Sequence, residues 1–224
     1  MLDNELDENI FKSFKENYMK LVIFDVFGTL IRYAVRHSPY RQLIKCGRAH
    51  GRKVSADDAR KIMTSNCEIR ELADHLKIRA PLDLLNKLEN QIDEEMNAIS
   101  LFDDVEETLS ALLDRGIQIA ICSNLAMPYG KAIDNLLSDF RFSRFLSYEL
   151  CFMKPDIEIY RMISESTNIC ANESLFVGDN FQCDYLGPIN CGFHARHLVR
   201  HYTSCEQTIS NLSDVLTIVS SVSQ

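Results

Sequence analysis

No stretch of this 224-residue chain approaches the roughly 18 consecutive apolar residues that a membrane-spanning helix needs. Positive charge is also scarce. Lys and Arg number 24 against 32 Asp and Glu, and the net charge of -8 argues against a general nucleic-acid surface. The eight cysteines never form a C-x-x-C pair and none falls at zinc-finger spacing, and cysteine in such a chain mostly behaves as a small buried hydrophobe. Internal repeats, linkers and low-complexity tracts are missing. The acidic start, Met1-Leu2-Asp3-Asn4-Glu5, lacks the basic and apolar regions of a signal peptide. Together these absences lead us to expect a cytoplasmic, reduced protein with no membrane and no nucleic-acid partner.

What is present is organised around Lys20-Leu21-Val22-Ile23-Phe24-Asp25-Val26-Phe27-Gly28-Thr29-Leu30. A short apolar run bounded by a turn signal reads as a strand of a parallel sheet, buried on both faces. Asp25 then stands at the sheet's C-terminal edge, where open α/β sheets bind their ligands. Two more such runs follow. Ile117–Cys122 ends in Ser123-Asn124, which suits either anion binding or a helix cap. Ser174–Gly178 ends in Asp179-Asn180, with Asp184 five residues beyond Asp179. Two acids near one strand end repel, which raises a pKa or demands a cation. With Asp25 they make three hard oxygen ligands at one sheet edge, a set suited to Mg²⁺.

The remaining segments fill in the architecture. Leu6, Ile10, Phe14 and Tyr18, with Phe11 beside them, give residues 3–18 the period of an amphipathic helix, docked on its own domain or on a partner. From Arg32 to about Asn97 glycine is scarce and leucines interleave with charge, which predicts an insert of roughly four helices. Ser55-Ala56-Asp57-Asp58 resembles a helix start, and Leu82, Leu85, Leu88, Ile92 and Met96 form a helical stripe. Arg32, Arg36, His37 and Arg41 are candidates to meet an anionic substrate, or else form a solvated basic face. Asp103–Arg115 reads as a helix stopped by Gly116. A weaker strand is expected near Phe145–Leu150, and Pro155 is expected to open a helix, leaving Lys154 at a loop tip. His194 and His197 lie three apart on a strand expected over Phe193–Val199, so with His201 they do not converge as a metal triad. Leu212, Val215, Leu216 and Val219 read as a terminal helix. The alternation of strand and helix predicts a doubly wound, Rossmann-like parallel α/β core with an α-helical insert.

In order, Asp25-Val26-Phe27-Gly28-Thr29-Leu30, Ser123-Asn124, Lys154-Pro155 and Gly178-Asp179-Asn180 with Asp184 resemble the four motifs of the haloacid dehalogenase superfamily of hydrolases. The resemblance spans essentially everything after residue 19. It implies a core of residues 1–32 and 99–224 and a helical cap of residues 33–98. It also implies a small phosphorylated substrate and Mg²⁺ as cofactor. Asp25 would be the nucleophile, forming an aspartyl-phosphate. The metal would sit between Asp25, the backbone carbonyl of Phe27 and Asp179, with Asp184 a direct or water-mediated ligand. Ser123 and the Asn124 N–H would hold phosphoryl oxygens, Lys154 would neutralise charge, and Thr29 would help fix the loop.

One departure stands out. Phosphatases of this family mostly carry a general-acid aspartate two residues after the nucleophile, and here that residue is Phe27. Losing a general acid costs about 10²–10⁴ in rate, so good leaving groups are favoured. An aromatic there resembles the family's dehalogenase branch, whereas Gly178-Asp179 resembles its Mg²⁺ phosphohydrolases. A buried carboxylate pair has the larger energetic consequence, so a phosphohydrolase is expected. A 2-haloacid dehalogenase and a catalytically silent binding protein are the alternatives.

Overall fold

The computed structural model describes residues 19–201 and 205–221, so the helix expected over residues 3–18 lies outside it. Strand β1 (Leu21–Phe24) leads through the loop 25–30 into β2 (Ile31–Tyr33). Four helices follow: α1 (Pro39–Ala49), α2 (Asp58–Thr64), α3 (Ile69–His75) and α4 (Leu82–Asn97). Strand β3 (Ile99–Leu101) then returns antiparallel to β2, so the chain leaves for the helical segment and comes back along one two-stranded ribbon. Beyond it come α5 (Val105–Asp114), β4 (Gln118–Ser123), α6 (Gly130–Leu136), β5 (Ser143–Leu146), α7 (Ser147–Leu150) and α8 (Ile157–Thr167). The chain continues with β6 (Ser174–Gly178), α9 (Gly187–Asn190), β7 (His194–Leu198), β8 (Thr208–Ile209) and α10 (Asp214–Ser221).

Six strands form one parallel sheet in the order β5-β4-β1-β6-β7-β8. Its centre, β1, is apolar and buried at every position because both faces are covered. Leu21 and Ile23 pack with Ile159, Tyr160 and Ile163 of α8, while Val22 and Phe24 belong to the core that includes Leu109 and Leu112 of α5 and Val215 of α10. The register pairs Phe24 with Ile121 and with Val177. Asp25, Ser123 and Asp179 therefore emerge at the same sheet edge, although they lie about a hundred residues or more from Asp25 along the chain. The core is thus α/β, Rossmann-like and doubly wound, as the alternation predicts.

Several local expectations need correction. The strand expected near Phe145–Leu150 ends at Leu146, and Ser147–Leu150 is helical. Pro155 does not open α8. It follows Lys154 through a cis peptide in a turn, and α8 starts at Ile157 after Asp156. Nor is Lys154 at an exposed tip, for it is 1% exposed. The ribbon strands β2 and β3 escape sequence reading because three residues are too few to show a period. In α4 the stripe is real, but Leu82 is exposed and the polar Glu95 is buried with Leu88 and Ile92.

The helical segment is bolted internally by Arg52. Its guanidinium donates to both Asp58 oxygens at 2.8 and 2.6 Å, and its Nε donates to the Leu76 carbonyl at 2.6 Å. It is tied to the core by Arg60, which pairs with Asp156, and by the Ser147 hydroxyl, which donates to the Met63 carbonyl. Among the described residues no helix is long and apolar enough to cross a membrane, and all eight cysteines are free thiols.

The hydrogen bonds from Arg52 hold the Asp58 carboxyl below its ordinary range, against the opposing pull of burial. A depressed folded-state pKa stabilises above the unfolded value and is lost as pH falls through the folded one. Asp58→Asn is therefore expected to cost about 1.5–3 kcal/mol at pH 7. Thermal unfolding of both proteins should show the gap shrinking as pH drops below about 4.

Candidate active site

The loop after β1 is shaped by its backbone. The Leu30 and Ile31 amides both donate to the Val26 carbonyl at 2.8 Å, and the Gly28 amide donates to the Ile31 carbonyl at 2.8 Å. Gly28 sits at φ +96°, in the left-handed region, and a Cβ there would fall 2.2 Å from Asp179 Oδ2. Only glycine lets the loop and Asp179 come together. Thr29 is fully buried in the turn, and its carbonyl accepts from Arg200 at 2.7 Å. Arg200 also grips Asp104 with both terminal nitrogens and lies 3.7 Å from the centre of the Phe102 ring. Its position just past β7 gives no sequence signal for this role in holding the loop.

At the centre is the Lys154 ammonium. It donates to Asp25 Oδ1 at 2.9 Å, to Asp184 Oδ1 at 2.6 Å and to the Cys122 carbonyl at 2.6 Å, using all three of its protons. Burial works against its charge, but Asp184 and Asp25 outweigh it and hold the lysine protonated well above its ordinary pKa. Asn124 fixes the approach of this residue: its side-chain amide donates to the Lys154 carbonyl at 2.7 Å and accepts from the Lys154 amide at 2.8 Å. The side chain of Asn124 is thus a clamp on the lysine loop, a job its sequence position did not suggest. Ser123 Oγ donates to Asp25 Oδ1 at 3.1 Å. Asp25 Oδ2 accepts no hydrogen bond among the described residues.

Asp25, Asp179 and Asp184 each offer a carboxylate oxygen, and the three lie within 4.8 Å of one another. Asp184 sits in a π-helical turn (Phe181–Leu186) that opens on Asn180, whose side chain accepts from the Gln182 and Cys183 amides. Burial pushes the Asp184 carboxyl up to about 6, with Lys154 opposing the rise and Asp25 adding to it. Asp179 is also held above its ordinary range, by burial first and then by the charge of Asp25. A Cβ at Gly178 would fall 2.3 Å from Asp184 Oδ2, so here too a glycine clears space for an acid. One ammonium against three carboxylates leaves an excess of negative charge that a divalent cation would relieve. These hard oxygen donors fit Mg²⁺.

The four candidates past the loop separate. Arg32, Arg36 and Arg41 line a chamber that also touches Phe27, Asn124 and Asp179, whereas His37 turns to Glu94 at 2.8 Å. Arg32 is held by Asp103 at 2.9 Å and by Ser100 Oγ at 3.0 Å. His194, His197 and His201 make no cluster, but His197 Nε2 donates to the Asp179 carbonyl at 3.0 Å.

A family model for haloacid dehalogenase-like hydrolases matches residues 19–192, a span that contains Asp25, Ser123, Asn124, Lys154, Asp179 and Asp184. The chain belongs to the haloacid dehalogenase-like hydrolase family. A human protein, haloacid dehalogenase-like hydrolase domain-containing protein 3, is 29% identical over 96 residues, or 42% of this chain and 38% of that protein. The match thus takes in well under half of that relative's length. Among solved structures of haloacid dehalogenase-like proteins, the 2-haloacid dehalogenase of Pseudomonas syringae shares the fold with a TM-score of 0.62 at 17% identity, covering 91% of this chain and 99% of that one. A family enzyme from Bacteroides thetaiotaomicron, in complex with magnesium and inorganic phosphate, matches with a TM-score of 0.57 at 16% identity, covering 81% and 94%.

Removing the lysine charge would leave Asp25 and Asp184 facing each other without compensation. Lys154→Met is expected to destabilise the fold by about 3–5 kcal/mol, the cost of breaking a buried ion pair. Adding Asp184→Asn should recover part of that loss, and chemical denaturation of the single and double variants would check both.

Proposed function

We propose that this hydrolase is a Mg²⁺-dependent phosphohydrolase that acts on a small phosphorylated metabolite through an aspartyl-phosphate on Asp25. The observation that carries the reading is the convergence of Asp25, Asp179 and Asp184 on one point, with Gly28 and Gly178 clearing the space around them. The magnesium and phosphate bound to the Bacteroides enzyme support it. The residues to hold the ion are the three aspartates and the Phe27 carbonyl. Bound there, Mg²⁺ would shield the nucleophile from the incoming anion and stabilise the transferring group.

The rest of the work falls to this chain's own side chains. Lys154 and Ser123 hold Asp25 by Oδ1, which orients the carboxylate and leaves Oδ2 open to attack phosphorus. The new bond joins Asp25 to phosphorus as the ester P–O bond breaks and the leaving group departs with its electron pair. Water then cleaves the acyl phosphate and restores the carboxylate. When the phosphoryl group arrives, Ser123 turns its one hydroxyl proton from Asp25 Oδ1 to a phosphoryl oxygen, the backbone N–H of Asn124 donates to another, Lys154 balances their charge, and Thr29 fixes the loop. Helices α1–α4, within residues 33–98, serve as a cap over a core of residues 1–32 and 99–224. The free thiols suit a reducing, cytoplasmic setting.

Phe27 favours a second reading, a 2-haloacid dehalogenase, since halide leaves without a proton. Asp179 weighs against it, because without a cation it repels a haloacid's carboxylate. The discriminating experiment measures phosphate release from acetyl phosphate and p-nitrophenyl phosphate with and without Mg²⁺, and chloride release from 2-chloropropionate. Mg²⁺-dependent phosphate release, abolished in Asp25→Asn, is expected. Alkyl phosphates should react about 10²–10⁴ more slowly than acetyl phosphate for want of an acid at Phe27. Metal-independent chloride release would replace the reading with the dehalogenase. Mg²⁺ should also raise the unfolding temperature by linkage, and Asp179→Asn should remove that rise.

A further inference from the structure

We propose that the chamber beside Phe27 receives the leaving group, and that the substrate is an aryl phosphate whose ring carries a second anionic group. This rests on the phosphohydrolase reading and names the substrate class of the same site.

Two cavities meet at Phe27, Asn124 and Asp179. The inner one, about 150 Å³, surrounds Asp25, Ser123 and Lys154 and has room for a phosphoryl group. The outer one, about 620 Å³, has room for the rest of a small metabolite. Its wall is aromatic. Phe27 stacks on Tyr33 with centroids 4.8 Å apart and rings 18° from parallel, and Tyr129 stands edge-on to both. Tyr40 adds a fourth ring, 6.3 Å from Tyr129. Contiguous rings of this kind prefer a flat apolar ligand that can stack or meet their edges.

The polar groups of the chamber specify the rest. Glu95 is buried, but it accepts from the Tyr129 hydroxyl and the His37 and Ser38 amides, so its charge is already engaged in fixing Tyr129. Arg36 and Arg41, by contrast, have no carboxylate partner among the described residues, and Arg36 lies 5.3 Å from the centre of the Tyr33 ring. The buried Tyr40 hydroxyl likewise finds no hydrogen-bond partner among the described residues. Two unneutralised guanidiniums and one unspent hydroxyl match a carboxylate or second phosphate on the ligand.

The chemistry at Phe27 agrees independently. A phenol is a better leaving group than an alcohol, so the Asp25–phosphorus bond can form while the phenolic oxygen departs with its electron pair. Water supplies the proton afterwards. The residue that withholds an acid is the same one that presents a ring to the leaving group.

The test compares kcat/KM for 4-carboxyphenyl phosphate, phenyl phosphate and 5-phosphonooxypentanoate, an alkyl phosphate ending in a carboxylate, with acetyl phosphate as reference. 4-Carboxyphenyl phosphate should exceed phenyl phosphate by about tenfold, the worth of a charge-assisted hydrogen bond. That ratio should collapse in the Arg36→Gln/Arg41→Gln double variant, whose exposed positions leave the fold undisturbed. Acetyl phosphate turnover with no preference for the aryl carboxylate, or equal use of the alkyl carboxylate, would overturn the proposal alone. A preference that survives the double variant would overturn the assignment of the anionic group. No phosphate release from any of the four would overturn the phosphohydrolase reading and the proposal with it.

Discussion

A buried ammonium with three acceptors sets the terms for the rest of the structure. Lys154 reaches Asp25, Asp184 and the Cys122 carbonyl at once, and it does so at 1% exposure. A charge so far from water is tolerated only if its partners are held at hydrogen-bonding distance. Each partner comes from a different element: Asp25 from the end of β1, Cys122 from inside β4, and Asp184 from the turn after β6. The parallel pairing of β1 with both β4 and β6 brings those three together, so sheet register and lysine burial depend on each other. The reciprocal amide contacts between Asn124 and Lys154 close the arrangement from the fourth side.

The ammonium does not balance the site. Asp179 and Asp184 both remain above their ordinary carboxyl range, each through burial and each with Asp25 contributing. Crowding of like charges would be relieved if one acid swung away. Here the opposite holds, since Gly28 and Gly178 remove the side chains that would otherwise push Asp179 and Asp184 outward. Backbone has been shaped to keep three like charges close. Such an arrangement makes physical sense when a cation supplies the missing charge, and it weakens any chemistry that brings an anion to the site without one.

What the sequence revealed follows from what local pattern can encode. Asp25, Ser123 and Asp179 were legible because each ends a short apolar run, and the burial of such a run fixes where its last side chain emerges. Lys154 was legible only through the family resemblance. Its own neighbourhood reads as an exposed turn, and the contacts that bury it come from residues 30 to 129 positions away. The ribbon of β2 and β3 was silent because its strands are three residues long. Glu95 lay hidden in a charged stretch of α4, where nothing distinguishes a buried carboxylate from a solvated one until Tyr129 and the His37 and Ser38 amides are brought to it. The aromatic chamber was hidden for the same reason: Tyr33 and Tyr129 meet across nearly a hundred residues of sequence.

Phe27 divides the site into two regions that work by different physics. On the Asp25 side, fixed charges and hydrogen-bond donors surround a small pocket of about 150 Å³, where the proposed phosphoryl group would meet a preorganised electrostatic environment. On the other side, rings and guanidiniums surround a larger chamber, where the binding proposed for it would rest on shape, stacking and opposite charge. A general acid at position 27 would couple the two by passing a proton between them. A phenylalanine uncouples them, and in the proposed reaction the group held in the chamber would have to carry its own ability to leave. Specificity and reactivity thereby fall on the same property of the ligand, and the ring at Phe27 is the element that makes them inseparable.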